Sequence, residues 1–301
     1  MSYQWEPEQV IEPPTALRII QEQFPRLLAK HIRLLGAGWD NTAFILNDEM
    51  IFRFPRRKIA LPLLEAEWCV LPKISDKLSL PIPVPQWKGV PGPDFTWPFI
   101  GYRMLPGFTA CHAQISEKQR SILAEPIARF LSLLHGIPLS DISGCRFEER
   151  HLGRVEGSSM IIKIQKNLEE MELIGFDYRK KIESLIERSH PLRVPKASHL
   201  VHGDFYVRHL LVDEEHRLTG VIDWGDVHIG DPAIDLAAAH SFLPLDAHAV
   251  FRRAYGNVSE ETWNLARLRA ILSSTYILLF GHHAKDPDLV REGIRSLNVM
   301  V

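Results

Sequence analysis

Hydrophobic positions divide the chain into a strand-rich first third and a helix-rich remainder. In the first third, short apolar runs are separated by glycine-containing or polar turns, a pattern that predicts strands. The predicted strands lie at residues 32–35, 42–46 and 50–55. An opening helix within residues 1–30 and a second helix over 63–74 interrupt this pattern, since apolar residues recur there at helical spacing. Residues 81–98 are rich in proline and are expected to form strand and loop.

Helical periodicity dominates the rest of the chain. The predicted helices cover residues 117–134, 160–174, 178–188, 244–255, 262–280 and 288–299. A hairpin of strands 210–212 and 218–222 interrupts them. The apolar segment that ends in Pro106 and Gly107 is expected to be a hinge at residues 103–107, between an N-terminal lobe of residues 1–102 and a C-terminal lobe of residues 108–301. The predicted fold class is therefore α+β with two lobes.

Composition is that of an ordinary soluble globular protein. The 301 residues are 46% hydrophobic and 24% charged, and the net charge is −2. Such a charge favours neither nucleic acid nor an anionic membrane as a partner. No signal-peptide pattern is present, and the apolar run at 276–280 is too short to span a bilayer. We therefore expect a cytoplasmic monomer.

The three cysteines give no recognisable framework. Cys69, Cys111 and Cys145 are widely spaced and odd in number, without metal-ligand or redox spacing. We expect reduced, buried thiols, as in most cytoplasmic proteins.

Two aspartates at opposite ends of the predicted hairpin are the strongest candidates for chemistry. Asp204 follows His202-Gly203, and Asp223 lies 19 residues later in Ile222-Asp223-Trp224-Gly225. A hairpin would return both carboxylates to the same end of the sheet, where one can handle a proton and the other a metal ion. Buried structural aspartates are the alternative. Asp231 and Asp235 are assigned to structure in preference to substrate contact.

The strand-rich third offers candidates for binding phosphate. Gly36 and Gly38 lie in the turn between the first two strands, where backbone N–H groups could approach a phosphate. Arg53 interrupts an otherwise apolar strand, and Glu67 lies on the inward face of the following helix, so that the two could pair. Neither GxxxxGK[ST] nor GxGxxG is present. A surface-facing Arg53 and an ordinary tight turn remain the alternatives.

Taken together, these segments resemble the aminoglycoside phosphotransferase family, whose fold is similar to that of protein kinases. The resemblance spans nearly the whole chain and is most specific in His202-Gly203-Asp204 and in residues 222–236. It implies a bilobal fold, with an N-terminal antiparallel sheet lobe and a larger, mainly helical C-terminal lobe.

The resemblance also implies roles for the catalytic segment. Asp204 matches the aspartate that orients the substrate hydroxyl and accepts its proton. Asp223 matches the metal-binding aspartate, and His209 stands where the family more often has a metal-binding asparagine. Some relatives, including macrolide kinases, also resemble this chain in having histidine at that position.

The nucleotide-binding residues are implied in the same way. Arg53 stands where protein kinases have a phosphate-binding lysine, a departure that keeps the charge but changes the reach. Glu67 matches the helix partner of that lysine, and Gly36 and Gly38 match the loop over the phosphates. The backbone of Arg103, Met104 and Leu105 matches the hinge that pairs with the purine.

The implied function is a kinase that uses ATP or GTP with Mg²⁺ and phosphorylates the hydroxyl of a small molecule. An aminoglycoside is the acceptor that the resemblance implies first. Kinases of macrolides, or of metabolites such as choline, homoserine or a sugar, are the alternatives. A catalytically silent nucleotide-binding protein, favoured by Arg53 and His209 alone, is the third.

Overall fold

The structure is a computed structural model that describes residues 7–38, 40–147, 154–189 and 193–300. It divides into two compact units, each described separately below. The first unit contains residues 1–76, 82–105 and 142–148, and the second contains residues 77–81, 106–141 and 149–301. The chain passes between the units at 105/106, within the predicted hinge at 103–107. The assignment of 77–81 and 142–148 has no counterpart in the sequence pattern, and the predicted lobe boundaries remain a prediction.

The first unit is built on a five-stranded antiparallel sheet. Its strands are β1 (Ile32–Ala37), β2 (Asn41–Leu46), β3 (Met50–Pro55), β4 (Trp87–Gly89) and β5 (Phe99–Arg103), in the order β1-β2-β3-β5-β4. Two helices accompany it, α1 (Pro13–Gln23) and α2 (Leu61–Ile74). Every residue of β3 is buried, and Phe52, Phe54 and Phe99 pack into an aromatic core with α1. The central strand is therefore fixed on both faces.

The second unit is mainly helical. Its helices are α3 (Glu117–His135), α4 (Gly157–Leu173), α5 (Arg179–Arg188), α6 (Ala233–Phe242), α7 (His248–Tyr255), α8 (Glu260–Ala284) and α9 (Pro287–Met300). All ten residues of α6 are buried. Short strands form two small sheets: β6 (Phe108–Thr109) with β8 (Leu210–Val212) and β9 (Leu218–Val221), and β7 (His199–Val201) with β10 (His228–Gly230). The predicted hairpin is present as β8 and β9, in which Leu210 pairs with Val221. Among the described residues, no helix is both long enough and apolar enough to cross a membrane.

The cysteine prediction is wrong for two of the three residues. Cys69 on α2 and Cys145 form a disulfide with their Cα atoms 5.6 Å apart, whereas Cys111 is free and buried. A separation of 76 residues matches no sequence motif, so only the fold reveals the pair. The disulfide joins residues 142–148 to α2 within the first unit.

Candidate active site

The loop that carries Asp204 runs from β7 to β8 in the second unit. Gly203 has φ +84°, and a Cβ there would come within 2.2 Å of the Asp226 carbonyl oxygen, so a side chain at this position is excluded. The buried carboxylate of Asp235, on α6, accepts hydrogen bonds from the amides of His202 (2.7 Å) and Gly203 (2.9 Å). The loop backbone is thus tied to the most buried helix of the unit.

Asp235 is held in its charged form by its surroundings. Burial acts to raise its pKa, but the His135 ring, 3.1 Å away, and the loop amides outweigh this effect and hold the pKa below its ordinary value. The other ring nitrogen of His135 lies 2.8 Å from the Tyr255 hydroxyl. Asp231 is paired instead with Arg193, at 2.6 and 2.8 Å, and accepts from the Ala233 amide at the start of α6. Both aspartates therefore have the structural contacts that the sequence predicted.

Asp204, His209 and Asp223 come together around the His209 ring. Nδ1 of His209 donates to the main-chain oxygen of Asp204 (2.8 Å) and lies 3.6 Å from its carboxylate. Nε2 lies 3.2 Å from the Asp223 carboxylate. Asp223 has φ +62°, in the left-handed region, at the end of the hairpin. The hairpin thus returns the two aspartates to the same end of the sheet, as the sequence predicted, and the His209 ring lies between them.

The electrostatics of this cluster are those of a partly exposed anionic site. Burial raises the pKa of Asp204 above its ordinary value, against the positive charges of His209 and Arg269. Burial lowers the pKa of His209, but the Asp223 carboxylate outweighs it, and the net shift is upward. The side chains of Asp204 and Asp223 are 34% and 53% exposed, so both carboxylates remain accessible to a ligand.

The donor set fits a divalent cation. Because a carbonyl oxygen can only accept, the hydrogen on Nδ1 is fixed, and in neutral His209 the lone pair of Nε2 points towards Asp223. The lone pair of Nε2 and the Asp223 carboxylate repel each other, and a proton or a cation bound between them removes this repulsion. Carboxylate oxygen suits Mg²⁺, and an imidazole nitrogen suits the softer divalent metals.

Two arginines near Asp204 were not singled out from the sequence. Arg154 pairs with Asp226 (2.7 Å) and donates to the Gly203 carbonyl oxygen (3.4 Å). Arg269 lies on α8, and its charge acts on both Asp204 and Asp226. Arg154 falls in a stretch without a predicted element, at the edge of residues 148–153, which lie outside the described ranges. For Arg269, the only relevant feature of the sequence is its position in the predicted helix 262–280, which does not indicate what the side chain lies beside.

In the first unit, Arg53 and Glu67 form a buried ion pair. The Arg53 Nη1 atom on β3 lies 2.7 Å from Glu67 Oε2 on α2. Arg53 is 7% exposed and Glu67 is 1% exposed, so Arg53 does not face the surface. The inward phase of α2 that the sequence predicted for Glu67 is observed.

The glycine turn has open space around it, whereas the predicted hinge residues already make contacts within the first unit. At Gly36 no described atom lies within 4 Å of an added Cβ, and at Gly38 the nearest is 3.8 Å away, so packing demands glycine at neither position. Trp39, in the same turn, lies outside the described residues. Arg103 ends β5, and the Met104 amide donates to the Glu49 carbonyl oxygen (2.8 Å), while Leu105 is half-buried. The Met104 N–H is thus already used within the unit.

Known proteins with sequence similarity cover most of the chain. The chain is 26% identical over 251 residues to the uncharacterized protein YcbJ of Bacillus subtilis, covering 78% of each protein. It is 28% identical over 169 residues to the aminoglycoside 3′-phosphotransferase of Streptomyces ribosidificus, covering 54% of this chain and 61% of that protein.

Solved structures share the fold. A GDP and kanamycin complex of APH(2″)-IIIa matches with TM-score 0.67 and 24% identity, covering 94% of this chain and 97% of that one. Macrolide 2′-phosphotransferase MphH from Brachybacterium faecium matches with TM-score 0.60 and 22% identity, covering 94% and 97%. The fold class predicted from the sequence is therefore confirmed.

The family can be assigned from the sequence itself. The family model described as the phosphotransferase enzyme family, APH, matches residues 31–271, which include both the Arg53–Glu67 pair and the Asp204, His209 and Asp223 cluster. The chain belongs to the APH phosphotransferase enzyme family.

Proposed function

We propose that the chain is a kinase that transfers the γ-phosphate of ATP or GTP to a hydroxyl group of a small molecule. The convergence of Asp204 and Asp223 on His209 carries this proposal. A nucleotide donor is supported by structural relatives that were solved in complex with GDP, ATP or ADP. The intact carboxylates and the Arg53–Glu67 pair weigh against a silent nucleotide-binding protein.

In this mechanism Asp204 orients the acceptor hydroxyl and takes its proton as the oxygen attacks the γ-phosphorus, and the bond to the nucleoside diphosphate, which leaves, is broken. His209, through Nε2, and Asp223 would hold Mg²⁺, which when bound neutralises charge on the phosphate oxygens. Arg53, kept in place by Glu67, would contact the phosphates, and the backbone at Gly36 and Gly38 would cover them. The main-chain groups of Arg103, Met104 and Leu105 would pair with the purine. The Met104 N–H already donates to the Glu49 carbonyl oxygen. The purine would therefore pair with the Met104 carbonyl oxygen or with main-chain groups of Arg103 and Leu105.

Aminoglycosides are the acceptor class that the comparisons favour. The Streptomyces relative is named an aminoglycoside 3′-phosphotransferase, and one structural relative is a kanamycin complex. Macrolides are the second candidate, because macrolide 2′-phosphotransferases share the fold.

The test is nucleotide consumption with kanamycin, a macrolide, choline, homoserine and glucose, using the parent protein and Asp204→Ala. We expect stimulation by at least one acceptor, and its loss by about 10²–10⁴-fold in Asp204→Ala with nucleotide affinity retained. Equal turnover in the two proteins would remove Asp204 from catalysis. Absence of nucleotide binding in the parent protein would refute the kinase function itself.

A further inference from the structure

A stripe of side chains on α8 runs beside the catalytic loop and is used by none of the proposed catalytic steps. It consists of Arg269, Ser273, Tyr276 and Phe280, which follow one another at intervals of four, three and four residues. Such spacing places all four on one face of a helix. Tyr276 is 45% exposed and Phe280 is 41% exposed, whereas most of α8 around them is buried. We name these four residues the α8 stripe.

One contact and one electrostatic interaction relate the α8 stripe to the loop that carries Asp204. At one end, the guanidinium of Arg208 lies 5.0 Å from the centre of the Phe280 ring. Arg208 is four residues after Asp204 in the same loop. At the other end, the charge of Arg269 acts on Asp204 itself. A molecule whose hydroxyl reached Asp204 would therefore lie over this stripe.

Arg269 is a cation on which the charges of Asp204 and Asp226 act, but which makes no direct ion pair with the described residues. Among the described residues, its guanidinium has neither a hydrogen bond nor an ion pair, although the side chain is partly buried. The two carboxylates that act on it are already engaged: Asp226 by Arg154, at 2.7 Å, and Asp204 by His209. Burying an arginine without a partner is unfavourable, and a bound carboxylate or phosphate would supply one with two parallel hydrogen bonds.

Two of the acidic residues on α4 are already paired within the unit. Glu172 on α4 is bound by Arg179 at 2.6 and 2.8 Å, and Glu170 is bound by His283 at 2.7 Å. An ammonium group placed over the α8 stripe would meet Arg269 and Arg208, two like charges.

We propose that the α8 stripe is an acceptor subsite that binds a carboxylate or phosphate group of the acceptor through Arg269 and an apolar ring face through Tyr276 and Phe280. The inference rests on the kinase function proposed above. Within the hydroxyl acceptors considered above, it favours an anionic hydroxy compound over the polycationic aminoglycosides that the comparisons suggest. Tyr276 and Phe280 supply rigid contact area at little entropic cost.

The experiment compares three sugars that differ only in the group at C6, and so in charge, together with a polycation. Glucose, glucuronate and glucose 6-phosphate are supplied with ATP or GTP and Mg²⁺, and kanamycin serves as the polycation. The parent protein should favour one or both anions over glucose by at least about 10-fold in kcat/KM, and should favour kanamycin least. The two anions separate a carboxylate subsite from a phosphate subsite.

Two variants connect the preference to Arg269. Arg269→Gln should lower kcat/KM for the anions by at least about 10-fold more than kcat/KM for glucose, and Arg269→Lys should restore part of the anion preference. Arg267→Gln is the matched control, because Arg267 lies on a different face of α8 and donates to Asn264 at 2.7 Å. It should keep the parental preference.

Several outcomes overturn the subsite. These are a parent protein that prefers kanamycin or glucose, one that uses neither anion, or an equal loss with every acceptor in Arg269→Gln, as a purely structural arginine would give. The comparison within the parent protein decides the matter even if Arg269→Gln does not fold. Failure of the kinase function has a different signature, namely absence of nucleotide binding in a calorimetric titration with every acceptor.

Discussion

The two compact units present their candidate functional groups in opposite ways. In the first unit, Arg53 and Glu67 are buried and bound to each other across β3 and α2. In the second unit, Asp204 and Asp223 are partly exposed, and their loop is anchored through backbone amides to Asp235. Arg53 is thus part of the core of the first unit. Asp204 and Asp223 lie on a backbone that Asp235 anchors, while their own carboxylates are accessible to solvent.

This difference in burial predicts different effects of substitution on stability and on activity. A buried ion pair is strongly destabilising when only one partner is removed, because the other is left as an uncompensated charge. Partly exposed carboxylates are solvated and can be changed with a small effect on folding. Substitutions in the first unit should therefore lower stability as well as activity, and those of the exposed carboxylates should lower activity alone.

The largest expected effect is that of Glu67→Ala. Loss of the carboxylate leaves Arg53 buried without it, and we expect the free energy of unfolding to fall by about 3–5 kcal/mol. Denaturant unfolding measures this. Glu65→Ala is the matched control on the same helix, because Glu65 forms an exposed pair with Lys88 and should cost less than about 1 kcal/mol. Equal effects of the two substitutions would show that the buried pair has no special role.

Removal of the Cys69–Cys145 disulfide should have the next largest effect. It closes a separation of 76 residues, and its loss should lower stability by about 2–4 kcal/mol. The comparison is the melting temperature with and without dithiothreitol. Reductant should leave the Cys69→Ser/Cys145→Ser double variant unchanged. An unaltered melting temperature of the parent protein in reductant would contradict a stabilising disulfide.

Asp223→Asn should weaken nucleotide binding without a comparable loss of stability. If Asp223 and His209 hold Mg²⁺, we expect affinity for the nucleotide with Mg²⁺ to fall by about 10–100-fold. Calorimetric titrations with Mg²⁺ and with excess chelator measure this, and parent and variant should bind alike in chelator. A parent protein whose affinity is the same with and without Mg²⁺ would remove both residues from metal binding.

The smallest effect concerns the pH dependence of stability in the helical unit. Burial on α6 and the nearby His248 hold the pKa of His240 well below its ordinary value, and its ring donates to the Trp263 carbonyl oxygen. The unfolded chain therefore binds a proton at His240 more readily than the folded one. Stability should be full above about pH 6.5 and decline as the pH falls below it.

Urea unfolding between pH 5 and 8 measures this decline. His240→Gln should flatten it, and His282→Gln, at an exposed position near the end of α8, should not. A slope unchanged in His240→Gln would place the acid sensitivity in the other buried histidines.

Local patterns in the sequence were sufficient for much of the active site. His202-Gly203-Asp204 and Ile222-Asp223-Trp224-Gly225 flank a hairpin whose two-residue periodicity predicts that its ends meet, and they do so at His209. The helical phase of α2 likewise placed Glu67 inward towards Arg53. In each case, the geometry of one element or of two adjacent elements determines where the side chain points.

Contacts between distant segments were not accessible in this way. The Cys69–Cys145 disulfide and the Arg154–Asp226 pair join residues more than 70 positions apart, and neither follows from a periodicity. Arg269 lies 65 residues after Asp204, as the numbering gives, yet acts on it because α8 packs beside the catalytic loop.

The sequence by itself determined the elements, the family resemblance and the identity of the candidate catalytic groups, because these depend on spacing within short segments. Only the tertiary structure decided which charges are already paired within the fold. That distinction depends on the packing of helices remote in sequence, and among the described residues it leaves Arg269 without a direct ion pair.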